Sequence, residues 1–220
     1  PEAYAGRDAG KLNRVNLARR TVLKPWQEYT MNDRIQWCVA SVPAPGWAHR
    51  VFPDLPVDEA MEKLWSVIFE VCRVTTGDPV NAWKEHVART KARRDQLNAW
   101  QLESVHMTSS NGTDLTVGLA DDATWEGASS VGENGVEFIA NVPTEEVFTA
   151  PHREKVNGVV YGTRPYVYNG QLIDGWHVTF RDGKVVEQGA EKNADLLAEM
   201  LSTDENACRI GEFAVVPSSS

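Results

Sequence analysis

Ser104-Val105-His106-Met107-Thr108, then Asn111-Gly112, then Thr113-Asp114-Leu115-Thr116-Val117-Gly118-Leu119: two runs of period-two texture flank an Asn-Gly pair. Asn-Gly favours a tight turn because both central positions of a type I′ turn want positive φ, so the stretch predicts a β-hairpin. The pattern recurs at Asn169-Gly170, between Tyr166-Val167-Tyr168 and Leu172-Ile173. It recurs again at Asp182-Gly183, between Val178-Thr179-Phe180 and Val185-Val186. Repeated hairpins imply a largely antiparallel sheet with one face on a core. One helix interrupts it, where Ala194, Leu197, Ala198 and Leu201 form a stripe between Asn193 and Thr203.

Upstream the texture is helical. Pro56, Asp58 and Glu59 mark a helix start, and Met61, Leu64, Trp65, Ile68 and Cys72 make one apolar stripe. A second helix opens at Asp78-Pro79, with Val80, Trp83, Val87, Thr90 and Leu97 on one side. His86 on this helix reads as a surface or packing residue, since no second His or carboxylate stands at ligand spacing. Leu12, Val15 and Arg19 predict a helix that fades before Pro25, with a basic, solvated face. Ile35–Val42 and Val136–Ala140 read as buried strands. The fold class is therefore α+β: a helical part over 1–102, then a β-rich, largely antiparallel part over 103–220 with an inserted helix.

Composition excludes some partners. Twenty-two basic against thirty-one acidic residues give a net charge of −9, unsuited to nucleic acid or an anionic membrane surface. No apolar run approaches the ~20 residues of a membrane-spanning helix. The start of the chain shows no signal-peptide pattern. Three widely spaced cysteines, Cys38, Cys72 and Cys208, read as reduced thiols of a cytoplasmic protein.

The chemistry centres on Asn141-Val142-Pro143-Thr144-Glu145-Glu146-Val147-Phe148-Thr149-Ala150-Pro151-His152. Prolines at both ends forbid a continuous helix, so two adjacent carboxylates sit on a short stiff piece of chain. In an extended piece neighbours point to opposite faces, so Glu145 and Glu146 cannot do the same job. Farther on, Glu212 is the only charged residue between Ile210 and Pro217, and a carboxylate in a buried strand needs a partner or a metal. The bland alternative is an exposed side chain, or one paired with Arg209 or Arg153.

The segment Pro143–His152 resembles a signature of the M29 (thermophilic) family of metallo-aminopeptidases. Gly112–Leu119, Tyr168-Asn169-Gly170, Ala190-Glu191-Lys192, Thr203-Asp204-Glu205 and Gly211–Pro217 resemble further blocks of it, as do Phe52–Leu55 and Ala82–His86. The resemblance covers at least residues 33–220. It implies an aminopeptidase that releases N-terminal residues from peptides through water activated by two divalent ions, Zn, Co or Mn. It puts the metal ligands at Glu146 and Glu212, with Glu212 as the bridge and catalytic carboxylate. Glu145, His152 and Thr144 are candidates for supporting a ligand or meeting the substrate, and Thr144 and Thr149 for fixing the Glu146 rotamer. The resemblance further implies a cytoplasmic homodimer.

Other readings come from the residues alone. Trp125, Trp176, Tyr161, Tyr166 and Tyr168 could form a sugar-stacking surface beside paired glutamates, or the chain could be a non-catalytic β-rich binding module. His177 and His106 read as solvent-facing on their strands, and His49 as a loop residue.

The family pattern runs beyond both ends of this sequence and draws its remaining ligands, a tyrosine, two histidines and an aspartate, from the following part. The 220-residue chain is thus expected to be an internal fragment with two of the three or four donors that a tight site needs. Isothermal titration of the isolated chain with Zn²⁺ should show only weak binding, and peptide hydrolysis should be absent; stoichiometric tight binding would contradict this.

Overall fold

The computed structural model describes residues 9–168 and 171–217. In chain order the elements are α1 (Ala9–Met31), β1 (Val39–Ala40), α2 (Pro45–Val51), α3 (Val57–Val71) and α4 (Pro79–Trp100). There follow β2 (Ser104–Thr108), β3 (Asp114–Leu119), β4 (Glu126–Gly127), β5 (Ser130–Val131), β6 (Glu137–Phe138), β7 (Asn141–Val142), β8 (Val147–Thr149) and β9 (Pro151–Tyr161). The rest are β10 (Tyr166–Tyr168), β11 (Gln171–Ile173), β12 (His177–Arg181), β13 (Lys184–Gly189), α5 (Ala194–Leu201) and β14 (Phe213–Val215). This is the expected α+β class.

Two compact units form. One holds the described residues up to Arg93 together with Gly127–Glu146; the other holds Arg94–Glu126 and Val147–Val216. The division differs from the expected boundary at 102/103: it falls inside α4, and the segment 127–146 belongs with the helical part.

In the β-rich unit five antiparallel strands run in the order β13-β12-β9-β3-β2. Alternation puts Leu115, Val117, Val156, Val178 and Phe180 into one core with Leu197 of α5. The β12–β13 turn is the tight one foreseen. Asp182 and Gly183 have φ of 49° and 75°, and Arg181 pairs directly with Lys184. The β2–β3 connection is wider. Ser109 donates its N–H to Thr113, Asn111 Oδ1 accepts from the Thr113 N–H, and only Gly112 takes positive φ, 99°. β10 and β11 pair as expected, with the Asn169-Gly170 turn outside the described residues. A second clasp closes the core: the Asn98 amide donates to the Trp125 carbonyl at 2.9 Å and accepts its N–H at 2.7 Å, around a Trp125 ring only 3% exposed. Trp125 therefore cannot be part of a sugar-stacking surface, because its faces are covered, one edge by Phe213.

In the helical unit α2 and α3 pack Ala48, Ala60, Leu64, Ile68 and Cys72 together; of the expected α3 stripe Leu64, Ile68 and Cys72 are buried and Met61 packs beside them, while Trp65 stays half-buried and stacks on Phe69. Burial pushes the Cys72 thiol pKa up, as suits a packing cysteine. Asp78 caps α4 through the Asn81 N–H at 3.0 Å. Four expectations fail here. α1 continues through Pro25, with Arg14, Arg19, Arg20 and Lys24 exposed; the side chain of Leu12 lies outside what is described. Residues 45–51, around His49, are a helix. The run Ile35–Val42 yields only the two-residue β1, with Val39 58% exposed. Val136–Ala140 yields only β6, with Val136 50% exposed. An apolar run reports what a segment could bury, and partner surfaces decide whether it does.

Replacing Asn98 by Ala leaves two backbone groups of the buried Trp125 without partners, so denaturant unfolding of the protein should show a loss of about 1–3 kcal/mol. An unchanged midpoint would mean that water replaces the amide.

Candidate functional site

The segment from Asn141 to Thr149 is regular at both ends and irregular in the middle. β7 pairs in parallel with β1, Asn141 opposite Val39, and Val142 packs on the α2–α3 core. β8 pairs antiparallel with β14, Val147 opposite Val215, and Val147 is fully buried. Between them Thr144, Glu145 and Glu146 lie in no ladder and are half-buried.

Side chains from the end of α3 and one face of α4 hold this middle piece. Arg73, left-handed at φ 60° just past the α3 cap, ion-pairs with the Glu145 carboxylate. Its guanidinium also lies 5.7 Å over the Trp83 ring, and Trp83 Nε1–H donates to the Cys72 carbonyl at 2.8 Å. His86 is 4% exposed, and its Nε2 sits 2.6 Å from the Thr144 carbonyl oxygen. A carbonyl only accepts, so Nε2 carries the hydrogen. Trp83 meets the imidazole edge-on at 5.4 Å. Two helical turns on, Arg93 Nη1 donates to the Glu145 carbonyl at 3.2 Å. The Glu145 Oε2 is 3.9 Å from His86 Nε2, too far for a second hydrogen bond, and adds only electrostatic attraction.

The expected site residues fall unevenly. Thr144 and Glu145 belong to the anchor just described, so Glu145 faces α3 and α4 with its charge already matched. Glu146 is half-buried at the end of the helical unit. Glu212 belongs to the β-rich unit and is exposed, one residue before β14. The expectation of a carboxylate inside a buried strand is corrected: the run around Glu212 forms only three residues of strand, which begin after it. Arg209, offered as its partner, donates to the Arg153 carbonyl instead, and Arg153 reaches Asn206.

His152 lies in β9 and its Nδ1 accepts the Glu154 N–H at 3.1 Å, a local backbone bond. Thr149 donates its hydroxyl hydrogen to the Thr124 carbonyl at 2.9 Å, so it does not donate to Glu146. His177 stacks on Tyr161 at 5.2 Å, and exposed His106 pairs with Asp114 at 2.7 Å.

His86 and Arg93 are what sequence reading missed. The signal was there: Trp83, His86, Thr90 and Arg93 follow three- and four-residue steps, but a polar residue on such a face has no visible target until the chain folds. Beside the anchor, a cavity of about 620 Å³ is lined by Trp83, Val87, Lys91, Phe138 and Ile139. Its one carboxylate, Glu137, is held by Lys91 and Ser129, so it offers no metal cradle. Among the described residues no group of three or more His, Cys, Asp or Glu side chains gathers around a point. Carboxylate oxygens such as those of Glu146 and Glu212 are of the donor type that divalent cations take.

A family model described as thermophilic metalloprotease (M29) matches residues 1–220. Aminopeptidase 2 of Geobacillus stearothermophilus is 41% identical over 99% of the chain and 52% of its own length. Aminopeptidase T of Thermus aquaticus is also 41% identical, over 53% of its length. The structure of wild-type AmpT from Thermus thermophilus superposes with a TM-score of 0.93 at 38% identity, covering all of this chain and 54% of that one. The chain thus spans about half the length of the curated relatives it matches.

Proposed function

The chain belongs to the M29 family of thermophilic metalloproteases, and on that premise we propose that the protein carrying it is a metal-dependent aminopeptidase that releases N-terminal residues from peptides. The observation that supports this reading is the match of the family model to the whole chain, with the relatives named as aminopeptidases. Glu146 and Glu212 are the residues that would hold the cations, two in number and of the Zn, Co or Mn kind. Bound there, divalent ions supply Lewis acidity toward the peptide carbonyl and lower the pKa of water.

The protein's own part is to deliver carboxylate oxygens from backbone that does not drift. Glu146 is suited to this, because the residue after it is sealed in the core and the one before it is pinned by Arg73 and Arg93. Glu212 stands open at the start of β14, where it can meet ligands from other parts of the protein. Glu145, matched by Arg73, is an anchor and not the group that receives the substrate amine. In this reading residues 103–220, which include both Glu146 and Glu212, are the metal-binding part, and the complete protein is a cytoplasmic homodimer acting on peptides, without nucleic-acid or membrane partners. The three unpaired cysteines are in keeping with that compartment.

Chelation of the complete protein should abolish release of N-terminal residues, and Zn²⁺, Co²⁺ or Mn²⁺ should restore it. Glu146→Gln and Glu212→Gln should each lower kcat/KM by roughly a thousandfold or more, the several kcal/mol of Lewis-acid stabilisation expressed as rate. Hydrolysis indifferent to chelator, or to both substitutions, would overturn the reading.

A further inference from the structure

We propose that His86 and Arg93 of α4 are positioning residues for the Glu146 carboxylate: they fix the two peptide carbonyls that immediately precede it. This rests on the reading of Glu146 as a metal ligand. A ligating carboxylate must keep its oxygens within a fraction of an ångström, and the backbone it hangs from is usually held by a ladder or a helix. Thr144–Glu146 has neither. In place of a neighbouring strand, one helix face supplies two donors. His86 Nε2–H meets the Thr144 carbonyl at 2.6 Å, and Arg93 Nη1–H meets the Glu145 carbonyl at 3.2 Å. Seven residues put the two Cα atoms about 10 Å apart along the helix, and the long Arg93 side chain closes that gap to reach the adjacent peptide.

A third contact adds to the hold. Arg73 draws the Glu145 side chain toward the helices, and so steadies the residue from which Glu146 follows. Satisfying the carbonyls of the segment does not by itself call for these donors. The segment is half-buried, so water could satisfy its carbonyls, whereas an imidazole 4% exposed is costly to bury without a partner. Trp83 against its ring braces the donor in turn.

The test uses the complete, metal-loadable protein and Zn²⁺ as probe. Zn²⁺ affinity is read by competition with a chromophoric chelator, alongside kcat and KM on an aminoacyl p-nitroanilide. His86→Ala and Arg93→Met should each weaken Zn²⁺ binding by about 10- to 100-fold, the usual effect of removing a group that orients a ligand. Both should lower kcat more than they change KM. His86→Gln, which keeps an N–H at similar reach, should recover most of the loss. If both removals leave Zn²⁺ affinity within twofold while only the unfolding temperature falls, the residues serve the scaffold alone and the inference fails. Should His86→Ala not fold, Arg93→Met, from a half-buried side chain, decides the matter. Glu146→Gln is the reference: unchanged Zn²⁺ affinity there overturns the ligand reading and this inference with it. Loss there, with none at His86 or Arg93, overturns this inference only.

Discussion

A buried imidazole must give its hydrogen to an acceptor, and in this chain that requirement ties a helix to an irregular strip of backbone. His86 is almost wholly enclosed, and the acceptor it finds is the Thr144 carbonyl. Removed from water, such a bond is electrostatically stronger, and leaving it unmade would be more expensive than at the surface. The neighbouring contacts agree with it. Trp83 braces the ring, Arg93 takes the next carbonyl, and Arg73 takes the intervening carboxylate. Farther along the same helix, Asn98 does comparable work on the backbone of Trp125. α4 is thus a helix whose polar side chains bond to main chain elsewhere, which accounts for its weakly amphipathic sequence.

Two adjacent glutamates are divided by this arrangement. Glu145 has its charge matched within the helical unit, so it contributes to the position of the chain and not to a solvent-facing acidic pair. Glu146 is left as the half-buried carboxylate whose two flanks are fixed, by Val147 in the core on one side and by the anchored peptide on the other. Glu212 is different in kind. It is exposed, and its strand is short, so its role in the proposed chemistry depends on what the complete protein brings to it.

Much of the fold was legible in local chemistry. Asp182-Gly183 tolerates the two positive φ values that a two-residue hairpin turn needs, and here it takes both. The stripes of α3 and α5, the Asp78 cap of α4, and the alternation of β12 are likewise properties of short stretches. Asn111-Gly112 shows the limit, because the loop around it has five residues and a side-chain bond from Asn111 that a dipeptide rule does not contain. The apolar runs 35–42 and 136–140 were over-read for the same reason: burial is a relation between two surfaces, and a single segment carries only one of them.

By itself, then, the amino-acid order determined the α+β class, the Asp182-Gly183 turn, the Asp78 cap and the family, since each depends on residues a few places apart or on the order of short motifs. Tertiary structure alone decided which carboxylate is engaged by Arg73, that Trp125 is core, that Glu212 is open, and that His86 and Arg93 serve residues 144 and 145. The contacts of Arg73, His86 and Arg93 join positions more than fifty residues apart in sequence, and directional hydrogen bonds of that span exist only once packing has placed donor and acceptor face to face.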